Sequence, residues 1–355
     1  MNAFTDFGSV LTDANGTVTV THNDITDVSL FADQGSVTKE ELKAPIMVTG
    51  PDGKPMMKRD DNGEIILRDL PGYFGLANTV TGELLDSPPV SKGYKIVDHA
   101  KAFEAQAKTI LGNPELPHGN FTVVDKIIRG GRKATRAIYF NDLTWDIDGR
   151  GQGVTARADL INSIDMSSAF QIFAGAYREY CENTCVFGGA KTYHQKQKHT
   201  RNLSPEALIA KATLSMSMFD QHREQMEAWK VIDLHPSQWV EIMEQTLCAN
   251  TGKGRALAND KAVKVNGKLL DYMVHRFEQE SKSLGNTAWA GYNALTHWAT
   301  HTDESFERVR EDGKVVELQT SRKGSNRDIV QLERNDKVRK VLDSEAWLTL
   351  EGVAA

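Results

Sequence analysis

The sequence predicts an α+β fold, with a central antiparallel sheet and a helical C-terminal half. Three observations lead there. Between Phe121 and Leu160, short runs alternate apolar and polar residues, the period of a half-buried strand. Turn-formers such as Gly130-Gly131 separate those runs. After Asn202 the texture changes to helical spacing with recognisable start signals.

Taken in order, Thr17-Val18-Thr19-Val20-Thr21 alternates hydroxyl-bearing and apolar residues, as a strand does. Ser36 to Glu41 reads as a helix start, with Thr38 and Glu41 at capping-box spacing. Gly50 to Pro55 and Asp60 to Gly63 read as turns among the strand-like runs Ile46–Val48 and Glu64–Leu67. Residues 1–70 are therefore expected to form an N-terminal arm or hairpin region, suited to subunit contacts. The core domain is expected over residues 71–302. Asp98 is a candidate N-cap for a helix carrying Ala100, Phe103, Ala107 and Ile110 at helical spacing. Strands are expected at Phe121–Val124, Thr135–Phe140 and Gly153–Leu160. Ser204-Pro205-Glu206 combines a cap, a proline at the first helical position and an acid in the first turn, starting a helix that reaches about Trp229. His235-Pro236-Ser237 opens a second helix, Asn259–Ser283 holds a third, and Asn286–Thr300 is an aromatic-rich fourth. Residues 303–355 read as a charged C-terminal tail, with a mobile loop expected at Arg322–Arg327. No internal repeat is apparent.

Composition narrows the class. The 355 residues are 40% hydrophobic and 25% charged, with room for an ample core. No apolar run is long enough to cross a bilayer, and the N-terminus lacks the basic start and apolar middle of a secretory signal. A soluble protein of a reducing cytoplasm, with no membrane partner, is expected. Three cysteines are an odd, sparse set, and no disulfide framework is expected. The net charge is −6, yet between Lys126 and Arg201 twelve Lys/Arg face seven Asp/Glu, a local surplus of +5. One reading is a solvated face with interspersed charge. The other is a groove for a polyanion, where cations release counterions from phosphates.

The densest chemistry lies between Tyr177 and Leu203. Cys181, Cys185, His194 and His199 form C-x3-C-x8-H-x4-H, a set that tetrahedral zinc accepts. The linker is shorter than the usual stretch of about twelve, and a free cysteine more commonly behaves as a small buried hydrophobe. No cofactor or metal is therefore assigned. Gly130-Gly131 and Gly188-Gly189 match neither a Walker loop nor a dinucleotide fingerprint; each precedes a basic residue, as a phosphate nest or a plain turn would. Asp142, Asp146 and Asp148 cluster without the lysine element of a metal-dependent nuclease and read as a hairpin loop. Trp289 and Tyr292 stand three residues apart, a spacing that suits either base stacking or a core face.

Several blocks together resemble a known family. They are Leu84–Val97 with S-x-x-Y-x-I-V, Gly130–Lys133, Ser167–Phe170, Tyr177–Thr184, His199–Asn202 and Thr287–Thr296. In this order they resemble the phage/plasmid-like proteins carrying domain of unknown function 932. That resemblance implies a mobile-element context and no assigned reaction. The shared blocks are rich in Arg, Asn, His and Thr, good at binding phosphate and poor as a complete catalytic set. The expectation is a non-enzymatic nucleic-acid-binding protein, single-stranded DNA favoured, active in annealing during replication or recombination and self-associating. Arg132, Lys133, Arg178, Lys191, Lys196, Lys198 and Arg201 are the expected phosphate contacts. Asn183 and His199 would orient hydrogen bonds, and Trp289 and Tyr292 would stack bases. Two other classes fit the same sequence: a protein that inhibits a host protein, and a metal-dependent nucleic-acid enzyme.

Overall fold

A computed structural model describes residues 10–14, 16–32, 37–147, 153–178, 183–185, 194–216, 219–250, 264–301, 305–309, 315–319, 327–350 and 352. Strands β1 (Val10–Thr12) and β2 (Val18–His22) precede a one-turn helix α1 (Ser29–Ala32). A ribbon follows through β3 (Val37–Pro45), β4 (Met47–Thr49), β5 (Pro55–Met57), β6 (Leu67–Asn78) and β7 (Val90–Ser91). Helix α2 (His99–Leu111) leads into β8 (Phe121–Ile128), β9 (Lys133–Trp145), β10 (Val154–Ser163) and β11 (Phe170–Arg178), then the short β12 (Asn183–Cys185) and β13 (His194–Gln197). Helices α3 (Pro205–Met216), α4 (Phe219–Trp229) and α5 (Pro236–Gln245) come next, then the pair β14 (Ala249–Asn250) and β15 (Lys264–Val265). The chain continues with α6 (Gly267–Leu284), α7 (Ala288–Thr300), the hairpin β16 (Ser305–Val309) and β17 (Val315–Gln319), α8 (Arg327–Leu342) and α9 (Glu345–Leu350).

The alternation between Phe121 and Leu160 produces the expected sheet. Its strand order is β1-β2-β8-β9-β10-β11-β12, with β13 also paired to β11, and every pairing is antiparallel. Val154, Ala156, Ala158 and Leu160 are buried on one face of β10. Ala156 and Ala158 pair across to Ala176 and Ala174 of β11, so a low surface of methyl groups lies at the centre of the sheet. Helices α2 and α3 pack on β10 and β11. Asp98 caps α2 as its sequence suggests, accepting from the Lys101 amide at 3.1 Å.

Three readings need correction. The segment at Thr38–Glu41 is strand, because β6 supplies a partner along its length: Thr38 pairs with Ala77 and Glu41 with Phe74. Of the stretch expected as helix from Ser204 to about Trp229, Pro205–Met216 (α3) and Phe219–Trp229 (α4) are helical, and residues 217–218 lie outside the described residues. Asp142 does not sit in a hairpin loop. Strand β9 runs on to Trp145 through a bulge: Phe140 pairs with Ala156 and Thr144 with Thr155, leaving Asn141 to Leu143 without opposite partners. Finally, the segment read as a charged tail supplies Val338, Val341, Leu342 and Trp347 to the largest core cluster. The loop expected at Arg322–Arg327 lies outside the described residues up to Ser325-Asn326, and Arg327 already belongs to α8.

Candidate ligand-binding pocket

Strand β13 brings His194 and Lys196 onto the edge of the sheet by pairing with Phe173 and Gln171 of β11. Lys198 follows two residues beyond Lys196, so three side chains at alternate positions face one way. Opposite them stand the β10–β11 turn, the segment before α2, and α8. Together they enclose a cavity of about 510 Å³, within the size range of small-molecule sites.

Each wall is held by specific bonds. His199 and Lys95 clasp each other twice: the Lys95 amide donates to the His199 carbonyl at 3.0 Å, and His199 Nδ1 donates to the Lys95 carbonyl at 3.0 Å. Lys95 Nζ also donates to the Leu203 carbonyl at 2.8 Å. The Tyr94 ring stacks on the His199 imidazole with centroids 5.3 Å apart. Burial pushes the Tyr94 phenol up to about 12 and the His199 imidazole below its ordinary value. Because Nδ1 carries the proton given to Lys95, Nε2 of this neutral ring is an acceptor. Nε2 is buried and has no partner among the described residues, and the same holds for the hydroxyls of Ser167 and Ser168. A buried polar atom left unpaired costs about 1–3 kcal/mol, so three in one wall are an unusual concentration.

The β10–β11 turn is strained. Met166 has φ +62° without being glycine, a conformation that costs about 1–2 kcal/mol for an L side chain. Asp165 holds it by accepting from the Ser167 amide at 2.9 Å and facing Arg129 at 3.6 Å. The Ser163 hydroxyl donates to the Ser168 carbonyl at 2.9 Å. Across the cavity, His194 ties α8 to the sheet, with Nδ1 2.9 Å from Asp336 and Nε2 3.0 Å from Gln171. Burial raises the Asp336 carboxyl, but the His194 hydrogen bond, with the charges of His194, Arg339 and Lys196, holds it below the usual value.

The expected contacts are thus divided. Lys196, Lys198 and His199 line the cavity, the two lysines exposed and His199 buried. Arg201 is exposed on the turn that follows. Arg132 does not join them: its Nε donates to the Arg129 carbonyl at 2.9 Å and its guanidinium faces Asp86 at 3.3 Å. Lys133 cannot meet a phosphate as expected, since it is 1% exposed within β9. Gly130-Gly131 is a turn with positive φ whose carbonyl at Gly131 accepts from the buried His99 at 3.0 Å, not an amide nest. Trp289 and Tyr292 are core residues, 1% and 0% exposed and stacked on each other, so neither offers a face to a base. Arg178 and Asn183 are cross-strand partners in β11 and β12; their side chains, Lys191, Cys181 and the Cys185 thiol lie outside the described residues. His194 spends both ring nitrogens on protein oxygens, which removes it from a metal set in this arrangement. No metal-ligand cluster is found among the described residues.

Tyr94, Gln171, Ser167, Ser168 and Asp336 were missed as site residues. A signal existed for some: Ser91 and Tyr94, Ser167 and Ser168, and His199 and Thr200 fall in three separate blocks of the family resemblance, and all line this cavity. The described fold is thus an α+β domain with a mixed cation, hydroxyl and imidazole pocket at a sheet edge. The family model described as domain of unknown function DUF932 matches residues 89–335, and the chain belongs to that family. No curated protein and no solved structure matches the chain. Among the described residues, no helix is long and apolar enough to cross a membrane.

Proposed function

We propose that the protein binds a nucleic-acid strand, single-stranded DNA foremost, as a non-enzymatic component of a phage or plasmid in the host cytoplasm. The observation that carries this reading is the pair Lys196 and Lys198. Both are exposed at the pocket rim, and among the described residues neither lies within ion-pair distance of a carboxylate. In an extended segment two residues span about 6.6 Å, of the order of the step between phosphates in a stretched strand. Lysines so placed act as point charges that displace counterions. The exposed Met47, Met56 and Met57 of the β4–β5 hairpin support self-association of the arm.

The test is fluorescence anisotropy of a labelled single-stranded oligonucleotide over a salt series. Lys196→Ala/Lys198→Ala should weaken binding and reduce the slope of log affinity against log salt by about 1.4, two contacts at about 0.7 each. Unchanged affinity and slope would remove the strand from this edge.

A further inference from the structure

We infer that the pocket seats a single nucleoside phosphate unit, its base withdrawn from any stack and its phosphate on Lys196 and Lys198. This rests on the strand reading and adds what it lacks, a reason to select unpaired nucleotides. A cavity of about 510 Å³ has room for one nucleotide and none for a duplex, so a paired base enters only by leaving its helix. Lys196 and Lys198 are the cavity's exposed cations, while the Asp336 carboxylate in its lining is bound to His194 at 2.9 Å and faces Arg339 at 3.4 Å.

Tyr94, Ala169 and Met166 give a planar base its apolar surface. Met166 is 41% exposed although it is large and apolar, and its positive φ places it on a turn built from Asp165 and Ser163 bonds. Strained residues of this kind gather where ligands bind. The unpaired atoms complete the pattern. His199 is 5% exposed, and its Nε2 can only accept; the Ser167 and Ser168 hydroxyls can turn about χ1 to donate or accept. Among the described residues no protein atom satisfies them, whereas a base edge carries both donors and acceptors. Glu333, exposed at the rim, is a further acceptor for an exocyclic amine.

The unit could come from a strand or from a free nucleotide, and the experiment separates the two. Wild-type protein is titrated with dAMP, deoxyadenosine, inorganic phosphate and a 5′-labelled hexanucleotide, each also as a competitor of the others. Competitive binding of dAMP, at least ten-fold tighter than deoxyadenosine or phosphate, is the expected result. A hexanucleotide at least ten-fold tighter than dAMP assigns the site to a strand; dAMP tighter than the hexanucleotide overturns the strand reading and keeps the pocket. Ala169→Trp, which fills the cavity, should abolish dAMP competition and weaken the hexanucleotide at least ten-fold. Hexanucleotide binding that responds to Lys196→Ala/Lys198→Ala but not to dAMP would overturn the pocket and leave the strand reading intact. That last comparison needs only the wild-type protein and the lysine variant, so it decides the matter even if Ala169→Trp fails to fold.

Discussion

Arg136 enters the core, 0% exposed, with each end of its guanidinium assigned. Nε and Nη2 form a two-pronged pair with the Asp125 carboxylate at 2.8 and 2.7 Å, Nη1 donates to the Ile25 carbonyl at 3.0 Å, and Nη2 also donates to the Asp27 carbonyl. His22 adds a bond to the same carboxylate at 2.9 Å. The cluster pins the segment after β2 against β8 and β9, and the guanidinium sits over the rings of Phe31 and Phe103. Asp125→Ala should therefore cost about 3–5 kcal/mol, because it leaves a buried cation without its partner. Urea unfolding measures this, and Asp125→Ala/Arg136→Met should recover part of the loss; a single variant within 1 kcal/mol of wild type would mean water enters and solvates Arg136. Nothing in the sequence separates this arginine from an exposed one. Arg136 and Lys133 lie on strands whose partners come from distant segments, so their burial is a property of the tertiary fold. Lys196 and Lys198 were legible because an edge strand leaves alternate side chains to solvent.

At the scale of elements, α7 carries no Asp, Glu, Lys or Arg over Ala288–Thr300, and all of its residues are buried. A helix with no charged face is a core helix, which is why Trp289 and Tyr292 pack inward and do not offer a face for base stacking. Its close packing depends on Gly291. A Cβ there would lie 2.7 Å from Leu234 Cδ2 and 3.1 Å from Trp239 Cζ3. Gly to Ala within a helix ordinarily stabilises by up to about 1 kcal/mol. Here Leu234 and Trp239 are both 0% exposed and have little room to yield, so overpacking should dominate. Gly291→Ala is expected to destabilise by about 1–3 kcal/mol, read as a lowered urea midpoint with unchanged slope; a raised midpoint would show that Leu234 moves freely. Strands β8 to β10 and the caps of α2 and α5 were legible because they rest on local period and local bonds. Strand β3 was misread because capping-box spacing is local, whereas its pairing with β6 joins distant residues such as Thr38 with Ala77 and Glu41 with Phe74. Pairing at that distance overrides a weak local signal.

For the whole molecule, the mid-chain surplus of positive charge does not survive folding as a single groove. Acids from outside the Lys126–Arg201 window come to it: Asp86 to Arg132, Asp125 to Arg136, and Asp336 toward His194 and Lys196. A charge count along a sequence cannot register such long-range compensation, which is why it did not mark the place of the pocket. The same burial that gathers these groups makes stability respond to acid. His99, His199 and His222 are 5%, 5% and 7% exposed, and burial lowers all three below the ordinary histidine value, His222 to about 4. His99 shows why a proton is refused: Nε2 donates to the Gly131 carbonyl while Nδ1 accepts from the Asn162 amide at 2.9 Å. In the unfolded chain each titrates near its unperturbed pKa of about 6.5. Above about pH 7 both states are neutral and these histidines leave stability independent of pH. Below about 6.5 the unfolded chain binds more protons than the folded one, so acid favours unfolding. The melting temperature should hold steady from pH 8 to 7 and then fall progressively toward pH 4, well before the Asp336 carboxylate is protonated at still lower pH. Thermal unfolding by circular dichroism at constant ionic strength tests this, with His222→Asn as the partner measurement. The variant should show a shallower acid limb; parallel limbs would mean His222 takes up its proton without leaving the folded state.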